Sequence, residues 1–336
     1  MRERTLCSIL LTGLLLLPAG ALEAAQPAVL DGEIFTADTA HSLLDFTVRQ
    51  VGFGRVRGTF KNYQAAIFYR DGDLTNSSVS VTVEVKSVDT GSNFRDNHLR
   101  SGDFFEVEKF PLMTFRSERI EKTADGYVLV GPLTIRDVTR GVRIPFQIVS
   151  LQATDQFDNQ RIVFDGKLTL NRRDFGIVGP DFWNKLISDT VDIDISLAGR
   201  IFNYNNPFSK WKENSIGKVA EETVESAGLA AARGRVLDLW ENHKEEYDFG
   251  LTELYWAGMK LAQKGRLEDA IGVLELTAEL HGSSAEARDL TALYAALAEA
   301  YAKAGNHARA LENTNKALSY DPESPKAREL LRYLKS

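Results

Sequence analysis

The spacing of apolar residues changes once along this chain of 336 residues, and that change limits its possible folds most. In the first two thirds, apolar and polar residues alternate, as in Val79-Ser-Val-Thr-Val-Glu-Val85, which is the period of strands with one buried face. Afterwards the apolar residues recur at the helical period. The pattern predicts a β domain over 31–202 and an all-α domain over 218–336, joined by a linker over 203–217.

About eight strands are predicted in the β domain, separated by turn-forming pairs such as Asp125-Gly126 and Arg140-Gly141. Eight sequential antiparallel strands fit a closed barrel or a sandwich. A barrel is favoured, because closure removes unpaired edges and eight strands enclose roughly one small ligand. The expected strands are 44–48, 56–68, 79–85, 113–117, 127–135, 142–148, 162–170 and 191–197.

Two helical hairpins in the second domain have the residue spacing of tetratricopeptide repeats. Ala270 and Ala310 are expected where two helices cross closely, and Gly265 and Gly305 in the turns. Equivalent residues are 40 positions apart, more than the usual ~34, so the second hairpin should begin with a lengthened helix from about residue 285. The segment 219–240 should pack on the hairpins as one extra helix. Further repeat positions are Leu254, Ala257, Gly258, Leu261 and Leu274, then Tyr294, Leu297, Ala298, Tyr301, Ala317 and Pro322.

The N-terminal residues have the order of a secretory signal peptide. Arginines precede a short apolar run, residues 6–17, and small residues follow it. With cleavage after Ala24 or Ala21, residues 1–24 are predicted to be the signal peptide. The mature protein should be soluble, without a membrane span, and periplasmic or secreted from a bacterium. Cleavage removes Cys7, the only cysteine, and with it any disulfide or thiol chemistry.

A series of short motifs runs along the whole β domain. In chain order they are Asp38-Thr-Ala-His-Ser42, Gly58-Thr-Phe60, Ser87-Val-Asp-Thr90, Arg95-Asp-Asn-His-Leu99, Asp103-Phe-Phe105, Phe110-Pro111, Phe115-Arg-Ser117, Gly131-Pro-Leu-Thr-Ile135, Val138-Thr139 and Asn171-Arg-Arg-Asp-Phe-Gly-Ile177. Together they resemble the YceI-like family of exported, lipocalin-like barrels that bind polyisoprenoids. The resemblance implies an eight-stranded barrel whose long pocket takes the tail of a quinone or a polyprenyl phosphate.

The chain departs from that family's pattern in three places. Gln50 stands where the family usually has a histidine, and Asp137 and Ser188 each replace a glycine. Glutamine keeps the capacity for hydrogen bonding but does not titrate. If the family's histidine touches the ligand head group, the head-group preference here should differ.

Aromatic and aliphatic residues on the inward strand faces are predicted to form the pocket wall. A long prenyl chain needs such a shielded surface, since burying each CH₂ is worth ~0.8 kcal/mol. A core of this size can also be packed solid, and periodicity does not separate the two possibilities. The predicted wall residues are Phe46, Val48, Phe60, Phe68, Phe104, Phe105, Phe115 and Phe146.

A polar cluster is the candidate head-group site: Arg95, Asp96 and His98, with Gln50 added from the first strand. An arginine fork there could bind a phosphate or a quinone oxygen. The alternative is that the cluster ties down a loop, with Arg95 paired to a carboxylate and His98 bonded to backbone. For His41 a structural hydrogen bond is expected.

Several functions have no support in the sequence. The five histidines lack the i, i+4 spacing of a helical metal site, and no nucleophile motif is present, so neither a metal, a catalytic cofactor nor an enzyme activity is predicted. No basic face suggests nucleic acid. The expected function is an exported carrier with a helical module for protein interaction; the alternatives are a periplasmic scaffold with a solid barrel and an enzyme acting on an isoprenoid lipid. The acidic helical domain, in which Glu221 is among the glutamates expected to be exposed, could equally be a stabilising cap without a partner.

Overall fold

The structure is a computed structural model that describes residues 30–70, 72–206 and 211–336. The predicted signal peptide, 1–24, lies outside these residues. Twelve strands belong to one antiparallel sheet in the described β domain. They are β1 (Gly32–Ala37), β2 (Leu43–Gln50), β3 (Gly54–Phe60), β4 (Tyr63–Arg70), β5 (Ser78–Glu84), β6 (Val88–Asp89), β7 (Leu112–Arg116), β8 (Arg119–Thr123), β9 (Gly126–Ile135), β10 (Val138–Thr154), β11 (Gln160–Asn171) and β12 (Ile187–Ile201).

The sheet closes on itself as an eight-stranded barrel. β12 pairs with β1 near one end, at Thr36↔Arg200, and with β2 along the rest, at Phe46↔Ile193, so β1 and β2 act as one interrupted strand. β3 and β4 do the same, because they pair with β2 and β1 respectively. The predicted eight-stranded antiparallel barrel is thus confirmed. The separate short strands β1, β6 and β8 were not predicted, because two to six residues carry too little alternation.

Alternation along β5 decides what each face of that strand contacts. Val79, Val81 and Val83 face the barrel interior, whereas the side chains of Ser78 and Ser80 face outward. Both serines are nonetheless buried, which shows that the outside of the barrel is covered here.

Nine helices occur in the described residues, two in the β domain and seven behind it. They are α1 (Asn93–Arg100), α2 (Asp181–Asn184), α3 (Ile216–Ala227), α4 (Leu229–Asn242), α5 (Leu251–Gln263), α6 (Leu267–His281), α7 (Ala287–Lys303), α8 (His307–Tyr320) and α9 (Pro325–Lys335). The hairpins α5–α6 and α7–α8 match the predicted pair, and α7 is the lengthened helix. Ala270 and Ala310 are fully buried at the crossings, and Gly305 has the positive φ of 76° that the turn requires. The assignment to the tetratricopeptide class stays a prediction.

Two details of the helical domain differ from expectation. The single helix expected over 219–240 is broken into α3 and α4 at Gly228, whose φ of 87° ends the helical path. Glu221, which the sequence suggested was exposed, is buried and pairs with Lys264 at 2.8 Å and Lys260 at 3.5 Å. Burial alone would raise the pKa of Glu221, but the Lys264 hydrogen bond and the neighbouring charges lower it.

The helical domain packs on the outer face of the barrel through α9. The Phe68 ring on β4 contacts the Tyr333 ring with centroids 5.6 Å apart. The hydroxyls of Ser78 and Ser80 donate to the buried carboxylate of Glu329. Barrel residues including Ile34 and Ala66 share one hydrophobic cluster with the helices. The two domains therefore have a common core in addition to the linker.

Candidate functional site: the barrel cavity

The barrel interior holds a cavity of about 400 Å³. Its wall is almost entirely apolar and is built from the inward faces of the strands. A cavity of this volume lies in the range of small-molecule pockets, ~300–1,000 Å³. The main strand residues on the wall are Leu44, Phe46, Val48, Val56, Phe60, Val81, Val83, Met113, Phe115, Leu129, Leu133, Ile144, Phe146, Leu168, Leu170, Ile193 and Ile195.

One end of the cavity is packed shut. Phe35 and Ile162 are fully buried there and Ile67 nearly so, and a Cβ added at Gly199 would lie within 3.0 Å of all three side chains. The ring of Phe146 meets Phe164 edge-on at 5.4 Å beside them. This closed end is the one at which the helical domain joins the barrel.

The opposite end carries the mouth. The turn between β2 and β3 lies there, and the backbone N–H of Val51 donates to the carbonyl of Leu186 at 2.6 Å. Helices α1 and α2 cover the rest of this end, and Phe94 and Trp183 bring them onto the cavity wall. Sequence periodicity missed both residues, because short helices in loops leave no repeating signal.

Seven of the eight predicted wall residues line the cavity. The side chains of Phe46 and Phe60 pack together at 5.5 Å, and Phe105 meets Phe60 edge-on at 6.0 Å. The placement of Phe68 on the wall was wrong. Its ring points outward to Tyr333, because β4 alternates and Ile67 takes the inward position. Those on the wall are Phe46, Val48, Phe60, Phe104, Phe105, Phe115 and Phe146.

The predicted head-group cluster divides into two parts at the mouth. Arg95 and His98 line the cavity, whereas Asp96 is buried behind it. Asp96 accepts hydrogen bonds from the backbone N–H and the hydroxyl of Thr90, at 2.9 and 2.5 Å. Asp96 thus fixes the loop, as the alternative interpretation held, and the head-group role predicted for it is not supported by its position.

The partners of Arg95 and His98 differ from those expected. Arg95 donates through Nε to the Thr90 hydroxyl at 2.7 Å and through Nη2 to the Thr90 carbonyl at 2.8 Å, rather than to a carboxylate. Within the described residues its Nη1 has no hydrogen-bond partner, so one edge of the fork is available. His98 bonds through Nε2 to Asp103 at 2.8 Å, and Phe104 packs edge-on against its ring.

Gln50 also lines the cavity, at the last position of β2, where it pairs with Gly54 and Ile187. The three mouth residues therefore come from two separate segments, Gln50 from β2 and Arg95 and His98 from α1, but they border one opening. Whether they contact a ligand remains a prediction.

Arg172 holds in place the segment between β11 and β12, which lies at the mouth. Its side chain is 5% exposed. The guanidinium donates to the carbonyls of Ile177, Val178 and Ser188 at 2.6–3.0 Å and to the carboxylate of Asp189 at 3.0 Å. Because one buried group satisfies so many acceptors, the segment between β11 and β12 has a defined conformation.

Tyr63 is a polar residue on the cavity wall that the sequence did not predict. Its hydroxyl is buried, and it has no hydrogen-bond partner among the described residues, although the Ser42 side chain is near. Burial raises the pKa of the Tyr63 phenol, so the hydroxyl stays protonated and can donate. A tyrosine at the start of a strand reads as an ordinary core residue, and only closure of the barrel brings it to the cavity.

His41 makes the structural hydrogen bond predicted for it. Its Nδ1 lies 2.9 Å from Asp38 Oδ2, and Arg161 pairs with the same carboxylate. Burial works against ionisation of Asp38, but the hydrogen bonds from Arg161 and His41 hold the pKa of its carboxyl below the ordinary value. This network lies near the closed end of the barrel and braces it.

Among residues 30–70, 72–206 and 211–336, no group of three or more His, Cys, Asp or Glu residues could hold a metal ion. Within the same ranges, no helix has the length and apolarity needed to cross a membrane.

An antiparallel barrel that is packed at one end and encloses an apolar cavity reached from the other defines the class of small-molecule-binding barrels. The model of the YceI-like domain matches residues 35–198. A UPF0312 protein of Serratia proteamaculans is 31% identical over 193 residues, which cover 56% of this chain and 94% of the relative. A UPF0312 protein of Pseudomonas aeruginosa is 30% identical over 202 residues, 59% of this chain and 98% of the relative. The chain belongs to the YceI-like family.

Several solved structures are similar to about half of this chain. Burkholderia cenocepacia BcnA is 25% identical with a TM-score of 0.43, covering 48% of this chain and 98% of that one. The YceI protein of Campylobacter jejuni is 28% identical with a TM-score of 0.41, covering 45% and 88%. A polyisoprenoid binding domain from Saccharophagus degradans, implicated in plant cell wall breakdown, is 16% identical with a TM-score of 0.38, covering 50% and 98%.

Proposed function

We propose that this protein is an exported carrier that binds one long apolar molecule, a polyisoprenoid of the quinone or polyprenyl phosphate type, inside the barrel. The observation that supports it is the apolar cavity of about 400 Å³. No catalytic residue, cofactor or metal is assigned. A protein-interaction role for the helical domain remains part of the proposal.

The energy of an unfilled cavity supports a ligand. Closed cavities in protein cores reduce stability by ~24 cal/mol per Å³, so about 400 Å³ sets an upper limit of roughly 10 kcal/mol for this cavity, which is open at the mouth. That is comparable to the whole net stability of a typical domain, ~5–15 kcal/mol. A scaffold would gain by filling this space with larger side chains. A barrel that keeps it is better explained by a ligand that fills it.

The distribution of polar groups supports an orientation of the ligand with its apolar tail inside the barrel and its head group at the mouth. The strand wall is aliphatic and aromatic, and Gln50, Arg95 and His98 are at the mouth. The free edge of the Arg95 fork suits a phosphate or a carbonyl oxygen. The isoprenoid class itself follows from the YceI-like resemblance, and Gln50 makes head-group recognition at that position independent of pH.

A substitution that fills the cavity tests the carrier. Val48 lines the wall on β2, and Val48→Trp should abolish binding of a fluorescent prenyl analogue while the melting temperature stays nearly unchanged. The matched control is Thr47→Trp, on the outer face of the same strand, which should bind normally. Gly58 is unsuitable, because any added Cβ would lie 2.4 Å from the Phe46 ring.

Two results would reject the carrier. One is a parent protein that binds no prenyl analogue and yields no lipid when its organic extract is analysed by mass spectrometry. The other is a large drop in the melting temperature of Val48→Trp, since overfilling a packed core costs ~1–3 kcal/mol.

A further inference from the structure

Three phenylalanines protrude into solvent from three separate segments of the barrel. Phe53, in the turn between β2 and β3, is 82% exposed; Phe94, on α1, is 79% exposed; and Phe182, on α2, is 67% exposed. Exposed turn tips are usually occupied by Gly, Asn, Asp or Ser. The β2–β3 turn instead reads Val51-Gly-Phe53, and Val51 is exposed as well.

Contacts between these segments place all three rings around the cavity mouth. The β2–β3 turn bonds to Leu186, just after α2. The ring of His98 on α1 lies 6.2 Å from that of Trp183 on α2, and Trp183 contacts Phe182 edge-on at 5.4 Å. The three exposed rings therefore form one apolar rim, which we call the mouth rim.

Positive charge adjoins the mouth rim. Residues 46–58 contain three arginines, Arg49, Arg55 and Arg57, and no acidic residue, although the whole chain has a net charge of −7. Arg49 stands directly opposite Arg55 in the β2–β3 ladder, an arrangement that like charges disfavour. Within the described residues, no carboxylate lies within 4 Å of any of the three guanidinium groups. Such unpaired cations suit an anionic partner.

We propose that the mouth rim docks on the surface of an anionic lipid bilayer, with Phe53, Phe94 and Phe182 inserted at the headgroup level and the three arginines against lipid phosphates. Exposed aromatic rings combined with basic side chains are the combination that binds such interfaces. The inference rests on the proposed carrier function, since a cargo insoluble in water has to enter and leave through this opening.

The arrangement of the domains fits this orientation. The helical domain packs near the closed end and on the outer face of β4 and β5, so it leaves the mouth rim uncovered. Because the chain as a whole is acidic, an anionic surface would attract it through the unpaired arginines at positions 49, 55 and 57. The bilayer would then face the cavity opening, and the apolar ligand would pass without crossing water.

Vesicle flotation with the chain that remains after removal of residues 1–24 tests the docking. The parent protein should bind vesicles of phosphatidylcholine with phosphatidylglycerol, bind phosphatidylcholine alone weakly, and dissociate as salt rises from ~0.05 to ~0.5 M.

Phe53→Ser with Phe182→Ser should reduce binding by about tenfold or more. Replacing Arg49, Arg55 and Arg57 with Gln should reduce vesicle binding by at least about tenfold, because each arginine near an anionic surface contributes up to ~5-fold. Matched controls are Phe157→Ser, at the opposite end, and Arg233, Arg235 and Arg309 to Gln, on the helices.

Binding of a soluble prenyl analogue, measured on the same proteins, separates this inference from the carrier role. Neither Phe53 nor Phe182 lines the cavity, so that double variant should bind the analogue as the parent does. A parent that binds the analogue but not the anionic vesicles overturns the docking alone. Vesicle binding that the control variants lose equally also overturns it. If the parent self-associates in solution and the rim variants do not, the partner of the mouth rim is a second copy of this chain and not a bilayer. Vesicle binding without analogue binding would reject the carrier and leave the docking.

Discussion

At the residue scale, the conformation of the mouth depends on the buried guanidinium of Arg172, which donates hydrogen bonds to several acceptors. Arg172 and Arg173 are neighbours, yet the side chain of Arg172 is 5% exposed and that of Arg173 is 39% exposed. Both donate to Asp189, but only Arg172 also binds a set of backbone carbonyls. The sequence motif contains both arginines and does not distinguish them.

We expect Arg172→Lys to lower the free energy of unfolding by roughly 2–4 kcal/mol, because an ammonium cannot reach the acceptors that the guanidinium fork satisfies. Arg173→Lys is the matched control and should cost less than about 1 kcal/mol. Urea unfolding measures both, and hydrogen exchange should show faster opening of residues 177–188 in Arg172→Lys only. Equal effects of the two substitutions would contradict this role.

The error at Phe68 has a residue-scale cause. Strand alternation separates two faces, and a phenylalanine on either face looks the same in sequence. Ile67 took the inward position, and Phe68 became part of the contact with Tyr333. Its burial was anticipated, but the partner was not.

At the scale of elements, glycines in the helical domain have opposite roles. Gly305 ends α7 with a φ of 76°, whereas Gly234 lies inside α4 with no atom within 4 Å of an added Cβ. The first glycine permits the hairpin turn, and the second only weakens a helix.

Substitution by alanine should therefore act in opposite directions. We predict that Gly305→Ala lowers the free energy of unfolding by about 1 kcal/mol or more, since an alanine there is forced into left-handed backbone. Gly234→Ala should raise it by about 0.5–1 kcal/mol. Denaturant midpoints followed by circular dichroism at helical wavelengths give both values. A stabilising Gly305→Ala would show that the turn tolerates another conformation.

At the scale of the whole molecule, the contact between the domains contains a buried acid. Glu329 on α9 is 2% exposed and accepts from Ser78 and Ser80 of the barrel. Burial raises the pKa of the Glu329 carboxyl above its ordinary value; the serine hydroxyls and the nearby Arg332 and Arg116 oppose that rise only in part.

The sign of the resulting pH dependence follows from that shift. Between the ordinary pKa of 4.5 and the raised one, the folded chain holds a proton that the unfolded chain releases. The contribution of Glu329 to stability is therefore full below the ordinary pKa and is lost as pH rises through the window up to the folded pKa. Glu329→Gln, which stays neutral and keeps both serine contacts possible, should be more stable than the parent at neutral pH and lack this dependence.

Urea midpoints measured from mildly acidic to neutral pH test this prediction. Glu323→Gln is the control, because Glu323 is a partly exposed partner of Arg116 and Arg328 at the same contact. It should still lose stability as pH rises, because Glu329 is intact. A Glu329→Gln protein that loses stability at neutral pH would mean that the charged carboxylate is needed there.

The shared core also changes how the domains can be studied. Removing the helical domain would expose Ile34, Ala66 and Phe68, together with the serines that bind Glu329. Loss of ligand binding in an isolated barrel could therefore reflect an uncovered face. Point substitutions in the whole chain separate the functions of the two domains more cleanly.

The sequence by itself determined the local features: strand alternation, the helical period, the turn glycines of the two hairpins, and the motifs of the YceI-like family. Each depends on residues close in the chain. The tertiary structure decided that the barrel is hollow, that the outer face of β5 is covered by α9, and that Gln50, Arg95 and His98 border one opening. These outcomes depend on closure between β1 and β12, whose paired residues Thr36 and Arg200 are 164 positions apart, and on packing between domains. A one-dimensional pattern shows that a face is buried, but only the closed fold shows whether it meets a cavity, another strand or a helix.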